Sequence, residues 1–445
     1  MNKAEITQAQ LAAWSESYRA CPQRKLAALA LGKTDLNEVA FVPEGAWKMR
    51  QKFSVEIETL EVTSQQASGR CWLFAATNVL REHIARELKL EKFELSQSFL
   101  AFWDKFERCN YLLQAVIDTA SLPADDRVVA HLLTTGVHDG GQWDMFANIV
   151  RKYGVVPKDV YDETYQSSNT RSMNAQLNRA LKVAAADLRR MAADKADADA
   201  IQAEKNKTLD AIYGFLCSCY GEPPKAFDFE FVDKDQVYHI EKNLTPLTFA
   251  ERYVGDLLDQ VVSVINAPTA DKPYHKTYTI RLLGNVVEGR PVVHLNLTMD
   301  EFKAAIIAQL KAGKVVWFGS DVGHFGERTL GVWDDRSFDF AALTGLSLAM
   351  DKADALDYGL AAMNHAMVLT GVNLDEAGKP TRWKIENSWG DKNGEKGYYV
   401  CSDSWFDQYV FQAAVEREYL GGLADLAAQE PIVLEPWDPM GTLAD

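Results

Sequence analysis

The stretch from Gln65 to Phe74, Gln-Gln-Ala-Ser-Gly-Arg-Cys-Trp-Leu-Phe, constrains the fold more than any other part of the chain. After Cys71, apolar residues recur at helical spacing, at Leu73, Leu80, Ile84 and Leu88. This pattern predicts that Cys71 begins a helix, where the positive end of the helix dipole stabilises a thiolate. We therefore interpret Cys71 as a candidate nucleophile, with an inert core cysteine as the alternative.

The charge balance of the chain limits its partners. With 47 Lys and Arg residues against 63 Asp and Glu residues, the formal net charge is −16. Such acidity argues against a surface that binds nucleic acid or an anionic membrane. Residues 1–20 are polar, so we expect no signal peptide, and no apolar run is long enough to span a membrane.

The cysteines indicate the compartment in which the chain works. Six cysteines in 445 residues are too few for a disulfide framework, which favours a reducing cytoplasm. The pair in Cys217-Ser-Cys219 has neither the spacing nor the partner pair of a zinc site, so we expect no metal.

The apolar periodicity changes along the chain from helical to strand-like. Residues 94–107 and 110–121 read as two helices, and residues 168–221 as an amphipathic helical stretch. We interpret the charged face of that stretch as solvated, with partner binding as the alternative. Strand patterns dominate the last third, which predicts an α+β fold with a cleft between two halves.

We divide the chain into five units on these patterns. They are an N-terminal arm (1–60), a helical lobe with Cys71 (61–167), a mostly helical insertion (168–285), a β-rich lobe (286–430) and a C-terminal arm (431–445).

A thiol nucleophile needs a base and a group that orients the base. Of the eight histidines, His365 stands out because it begins a strand-like run that a short turn joins to a second run ending at Asn387. Antiparallel pairing of the two runs can place the Asn387 amide oxygen beside His365, where it would fix the imidazole tautomer. Trp389 would then cover that hydrogen bond. The other histidines lack such a motif, and we interpret them as surface or packing residues.

These residues carry a family resemblance. Gln65 with Cys71-Trp72, Asn364-His365-Ala366 and Asn387-Ser-Trp-Gly390 resemble the papain-like cysteine peptidases. The resemblance implies that Cys71 is the nucleophile and His365 the base. It also implies that Asn387 orients the base and that Gln65 stabilises the oxyanion. Asn364 and Trp389 are expected to border the substrate.

Two departures from the usual family pattern are informative. Ser68 stands where the family signature has a cysteine, which fits a reducing compartment. The gap between Cys71 and His365 is about twice the usual spacing of about 130–150 residues, so we expect a large insertion.

Further motifs point to the bleomycin hydrolase and bacterial aminopeptidase C subfamily. They are Ser68-Gly-Arg-Cys-Trp72, Glu94-Leu-Ser-Gln97, Phe102-Trp-Asp-Lys105, Asp139-Gly-Gly-Gln-Trp-Asp144, Lys152-Tyr-Gly-Val-Val-Pro157 and Pro436-Trp-Asp-Pro-Met-Gly441. This resemblance implies a papain-like two-lobed fold, with a helical lobe, a β-barrel-like lobe, a large helical insertion and two arms. It also implies a homohexamer that needs no cofactor.

The subfamily resemblance also implies how substrates bind. Gly140 and Gly141 would let the substrate backbone approach closely, with an ordinary tight turn as the alternative. The C-terminal arm would lie in the cleft, where its end at Ala444 and Asp445 would face the α-amino group of a peptide. Relatives often end at the alanine of this Leu-Ala pair, so self-removal of Asp445 is an expectation.

The expected function is therefore that of a cytosolic cysteine aminopeptidase of broad specificity, which trims N-terminal residues from short peptides. One alternative is an endopeptidase in which the arm leaves the cleft open. A less favoured alternative is an inactive scaffold that keeps the fold.

Overall fold

The computed structural model of the protein describes residues 4–444, and its strands lie mainly in one large sheet. The strands are β1 (Val55–Glu56), β2 (Phe227–Val232), β3 (Tyr238–Leu244), β4 (Val261–Ile265), β5 (Thr277–Ile280), β6 (Val293–Asn296), β7 (Val316–Ser320), β8 (Gly326–Glu327), β9 (Val332–Trp333), β10 (His365–Leu374), β11 (Pro380–Glu386), β12 (Tyr398–Ser402), β13 (Val410–Glu416) and β14 (Ile432–Leu434).

The helices dominate the first half of the chain. They are α1 (Gln8–Ala20), α2 (Pro22–Leu31), α3 (Leu36–Ala40), α4 (Pro43–Ala46), α5 (Cys71–Glu87), α6 (Gln97–Asp118), α7 (Arg127–Thr135), α8 (Trp143–Tyr153), α9 (Tyr165–Ser168), α10 (Arg171–Ala193), α11 (Ala198–Tyr220), α12 (Pro246–Tyr253), α13 (Leu257–Gln260), α14 (Met299–Lys311), α15 (Phe340–Thr344), α16 (Lys352–Asp357) and α17 (Asp403–Tyr409). Short 3-10 helices cover Asp335–Ser337, Arg417–Ala428 and Pro439–Gly441.

The large sheet has the order β14-β5-β6-β4-β13-β7-β10-β11-β12-β9-β8, with β1 added on β10. Strand β10 lies near its centre, antiparallel to both β7 and β11, with His365 opposite Ser320 and Val368 opposite Glu386. Residues 365–372 are all buried, because helix α5 packs against this strand. The predicted α+β class, with helices and strands in separate halves, is confirmed.

Helix α5 begins at Cys71, as the apolar spacing predicts. Leu73, Leu80 and Ile84 are fully buried in the core that α5 shares with the sheet. The nucleophile candidate therefore lies at the boundary between the helical half and the central strand.

Two sequence predictions differ from the structure. The two predicted helices, 94–107 and 110–121, are one continuous helix, α6 (Gln97–Asp118). Arg108 in its middle is buried and pairs with Asp104 one turn earlier, at 2.8 Å, so the helix continues through it. The predicted insertion 168–285 contains the helices α10 and α11, but strands β4 and β5 join the large sheet, so a boundary at residue 285 divides that sheet.

No helix within the described part of the chain is both long enough and apolar enough to cross a membrane. Asp445, which the sequence assigns to the substrate site, lies outside the described residues.

Candidate active site

The start of helix α5 meets the start of strand β10 at the Cys71 sulfur. The side chain of Cys71 is fully buried, and the backbone N–H of Ala366 donates to its Sγ at 3.4 Å. Since Ala366 follows His365, the sulfur lies beside the first residues of β10. The two segments are 295 residues apart in the sequence.

The loop before Cys71 is held by buried charges. Arg70 pairs with Glu163 at 2.9 Å, and the N–H of Gly69 donates to the Asp139 carboxylate at 3.0 Å. Lys105 pairs with that carboxylate at 2.5 Å. Burial alone would raise the pKa of Asp139, but the Lys105 charge and the donated hydrogen bonds outweigh it and hold that pKa well below its usual range. Asp139 therefore stays ionised and accepts the hydrogen bond that holds the loop.

His365 and Asn387 are joined by a hydrogen bond. His365 Nε2 lies 2.9 Å from Asn387 Oδ1, and the backbone N–H of Ser388 donates to the same oxygen at 2.8 Å. Because Oδ1 accepts from Ser388, it faces the ring as an acceptor, which assigns the proton to Nε2. Nδ1 is then the ring nitrogen able to accept the proton of a thiol.

Burial sets the electrostatics of this histidine. Burial lowers the pKa of His365 to about 4, the Asn387 hydrogen bond opposes the fall, and the charge of Arg328 adds to it. The ring of Trp389 covers the imidazole, with the two ring centroids 4.8 Å apart. The imidazole is therefore uncharged at neutral pH unless a neighbouring anion stabilises its protonated form.

Gln65 lies in the same network. Its Oε1 accepts from the Ser388 hydroxyl at 2.7 Å, and its Nε2 donates to the Ser68 carbonyl at 2.6 Å. One of the two amide protons is thereby engaged, and the second is available to a ligand. Both neighbours lie next to residues of the candidate site, Ser68 in the Cys71 loop and Ser388 after Asn387.

A buried ion pair that the sequence analysis missed lies behind these residues. Glu386 accepts from Arg81 Nη2 at 2.7 Å and from Asn78 Nδ2 at 2.8 Å. Burial raises the pKa of Glu386 to about 7, and the Arg81 charge opposes the rise. Arg81 also donates to the carbonyls of Leu60 and Glu61, on the segment that leads to Gln65. Arg81 and Glu386 are charged residues inside apolar patterns of the sequence, and this was the available signal for the pair.

Gly141 brings the end of the C-terminal arm into the cleft. Its N–H donates to the Ala444 carbonyl at 3.1 Å, in an isolated antiparallel bridge, and Ala444 is fully buried. A Cβ at Gly141 would lie 2.5 Å from the ring of Trp72, so only glycine fits here. The neighbouring carbonyl of Gly140 accepts from Arg108, which holds the glycine strip in place.

The rest of the arm contacts both halves of the molecule. Gln142 Nε2 donates to the carbonyls of Met440 and Thr442, at 3.1 and 2.8 Å. The Arg127 guanidinium carbon lies 3.7 Å from the Trp437 ring centroid, and buried Lys272 pairs with Asp438 at 2.9 Å. This segment is therefore a packed part of the structure.

A cavity of about 690 Å³ lies beside the arm. Residues from both halves and the arm line it, among them His131, Met145, Met363 and Leu443. Asn364 also faces it, but its side chain already bonds to Asp321 at 2.6 Å and to the N–H of Val322 at 3.0 Å. Asn364 is thus held by its own lobe, and a role in substrate binding stays a prediction.

Within residues 4–444, no group of three or more His, Cys, Asp or Glu side chains is arranged to hold a metal ion. The six cysteines are all free thiols.

Comparisons with known proteins agree with this geometry. Residues 5–441 match the model of the Peptidase C1-like family. The chain is 51% identical over 394 residues to aminopeptidase C of Streptococcus thermophilus, covering 88% of each chain. It is 44% identical over 443 residues to aminopeptidase C of Listeria monocytogenes, covering 99% of this chain and 100% of that one. The crystal structure of PepW from Lactobacillus rhamnosis superposes with a TM-score of 0.97 at 48% identity, covering 99% of this chain and 100% of that one.

The orientation of His365 by Asn387 can be tested through the thiol. Replacing Asn387 by Ala removes the acceptor of Nε2–H, so the imidazole loses its fixed tautomer and its charged form loses a partner. We expect alkylation of Cys71 by iodoacetamide at pH 6 to slow by about tenfold or more, since the thiolate becomes rarer. Rates are measured by quantitative peptide mapping.

Asn373→Ala is the matched control, because Asn373 lies on β10, the strand of His365, and bonds to Thr381 at 2.9 Å. It should react like the wild-type protein. An Asn387→Ala variant that alkylates as fast as wild type would contradict the assignment.

Proposed function

Since this chain belongs to the Peptidase C1-like family and is a cysteine aminopeptidase, we propose that Cys71 is the nucleophile of its peptide hydrolysis. His365 serves as the base, Asn387 orients it, and Gln65 stabilises the oxyanion. The hydrogen bond between His365 and Asn387, and the contact of Ala366 with the Cys71 sulfur, support these roles.

The first half of the reaction forms an acyl enzyme. Cys71 gives its proton to Nδ1 of His365, and the thiolate attacks the carbonyl carbon of the scissile bond. Because burial disfavours an isolated imidazolium, the charge of the adjacent thiolate is what stabilises it. His365 then passes the proton to the leaving amine as the carbon–nitrogen bond breaks, which releases the shortened peptide.

The second half of the reaction restores the enzyme. His365 takes a proton from water, the hydroxide attacks the thioester, and the proton returns to the Cys71 sulfur as the amino acid leaves. In both halves the oxyanion lies near the start of α5, between the Cys71 N–H and the Gln65 amide. Loss of one such donor typically slows turnover by about 10²–10³-fold.

We infer that the C-terminal arm makes this scaffold an aminopeptidase. The observation that carries the inference is the hydrogen bond from the Gly141 N–H to the Ala444 carbonyl. A longer peptide, with further residues on the N-terminal side of the scissile bond, would need the Gly141 N–H and the space that Ala444 occupies. We propose that, with the arm in place, one residue of substrate fits between Ala444 and Cys71, so that the substrate begins there.

The arm can be tested by removing residues 443–445. The remaining arm keeps the Gln142, Trp437 and Lys272 contacts, so the fold should be retained. We expect the full chain to cleave aminoacyl substrates with a free amine and to leave N-blocked peptides intact. The truncated chain should gain activity on N-blocked peptides. Initial rates on paired fluorogenic substrates, free and N-acetylated, measure both.

The Cys71→Ala form of the truncated chain is the control for contaminating peptidases and should be inactive on both substrates. A full chain that prefers N-blocked peptides would support the endopeptidase alternative. A truncated chain that still rejects them would contradict the role of the arm.

We also propose that the enzyme assembles from copies of itself, as a homohexamer. Helix α1 buries no residue, and Leu11, Trp14 and Tyr18 form one exposed apolar face on it. Trp14 alone is 53% exposed. An apolar groove also runs between α10 and α11, where Val183 is 60% exposed. Apolar faces of this kind are typical of surfaces that another subunit covers, and a second copy of the chain is the occupant that we propose.

Assembly and location can be measured together. We expect the peptidase activity in the cytosolic fraction of cells that express the chain, eluting from a sizing column at six times the mass of one chain. Trp14→Glu should shift the activity to smaller species, because it puts a charge in the apolar face. Arg19→Glu changes a charge on the same helix and should leave the elution unchanged. Activity that elutes as a single chain, or that appears in the medium, would contradict the proposal.

A further inference from the structure

Arg328 places a guanidinium without a carboxylate partner beside the candidate active site. It is exposed and lies in the turn between β8 and β9. Its guanidinium carbon lies 4.6 Å from the centroid of the Trp389 ring. Among the ion pairs of residues 4–444, none involves Arg328. A cation stacked on an aromatic ring, with no anion of its own, is a feature that the proposed reaction does not yet use.

The turn that carries Arg328 is fixed from both sides. The carbonyl of Thr329 accepts from the Gly394 N–H at 3.0 Å, and the carbonyl of Gly331 accepts from the Val400 N–H at 2.9 Å. Gly331 has φ +68°, and a Cβ there would lie 2.6 Å from Gly394. The backbone thus fixes where the side chain of Arg328 begins, and stacking on Trp389 locates its guanidinium.

That position is close to His365. Trp389 packs against His365, with the ring centroids 4.8 Å apart, and against Arg328 at 4.6 Å. The guanidinium is therefore separated from the imidazole by no more than the length of about three extended residues. In the proposed reaction His365 protonates the leaving amine, so Arg328 lies within reach of the one or two residues that follow the scissile bond.

When no anion is bound at Arg328, its positive charge also disfavours the protonation of His365 on which the proposed reaction depends. After burial, it is a second influence that lowers the pKa of His365 and so disfavours the imidazolium. It likewise opposes the rise that burial gives to the pKa of Tyr399. A carboxylate bound at Arg328 would cancel this charge next to His365. The planar guanidinium is stacked by one face on Trp389, and its edge also interacts with the Tyr399 hydroxyl. Its remaining N–H groups can donate to a carboxylate.

We propose that Arg328 forms a carboxylate-binding site for the part of the substrate that leaves, so that the enzyme favours di- and tripeptides. This inference rests on the proposed function. The carboxylate comes from the C-terminus of a short peptide or from an acidic side chain one or two residues after the scissile bond. With the arm at one end of the cleft and Arg328 at the other, the site fits a short peptide from its amine to its carboxylate.

The test compares peptides that differ only in the carboxylate. Leu-Gly-Gly is measured against its C-terminal amide, and Leu-Glu amide against Leu-Gln amide, as kcat and KM for release of leucine. We expect kcat/KM of the wild-type enzyme to be about three- to tenfold higher for Leu-Gly-Gly than for its amide, mainly through KM. Arg328→Gln should bring this ratio to about one, and Arg328→Lys should keep part of it. The ratio should fall as salt is added.

Arg336→Gln is the matched control, since Arg336 is an exposed arginine of the same lobe. It should keep the wild-type ratio. If kcat/KM is higher for both Leu-Glu amide and Leu-Gly-Gly than for their uncharged partners, the site binds a carboxylate of either source. If it is higher for Leu-Gly-Gly alone, the site binds the C-terminus. A wild-type ratio of one, or an unchanged ratio in Arg328→Gln, would overturn the inference while leaving the aminopeptidase intact. A wild-type enzyme that cleaves none of these peptides would overturn both.

Discussion

One buried carboxylate holds together the three segments that meet at the site. Glu386 accepts from Arg81 and Asn78 on helix α5, whose first residue is Cys71. Asn387 directly follows Glu386 in the chain. Arg81 also bonds to the segment that leads to Gln65. Removing one partner of such a buried pair typically costs about 3–5 kcal/mol, because the other charge stays buried without compensation. The relative positions of Cys71, Asn387 and Gln65 therefore depend on a contact that lies behind the candidate site.

Different parts of the fold carry the residues proposed for hydrolysis and the segments proposed to limit substrate length. The residues that we propose for the chemistry come from the start of a helix and the ends of two strands. On our proposals, the limits of the cleft come from peripheral segments, the arm that ends beside Gly141 and the turn that carries Arg328. Neither segment supplies a reacting group. Substrate length would then change through these segments without altering the hydrolysis itself.

Local patterns predicted the local features of this fold. The apolar spacing located the start of α5, and strand β10 begins at His365 as its pattern indicated. The hairpin argument anticipated that His365 and Asn387 would lie together, which they do, while their chemical roles stay predictions. The family resemblance is confirmed by the aminopeptidase C relatives, whereas the likeness to bleomycin hydrolases stays a prediction. Contacts between distant segments were predictable only where the family resemblance implied them, as for the C-terminal arm in the cleft. A charge inside an apolar pattern, as at Arg108, looked like the end of a helix because its buried partner was unknown. The Glu386 pair and the joining of β4 to β13 depend on partners far away in the sequence.

The central claim is that Cys71 attacks a substrate whose free amine lies at the end of the arm. The most direct measurement is inactivation by leucine chloromethyl ketone, which carries a free α-amino group, followed by peptide mapping with mass spectrometry. The account predicts one adduct per chain, on Cys71, with the other five cysteines unmodified. An N-acetylated form of the reagent should react far more slowly. An adduct on another cysteine, or inactivation that leaves Cys71 unmodified, would contradict the account.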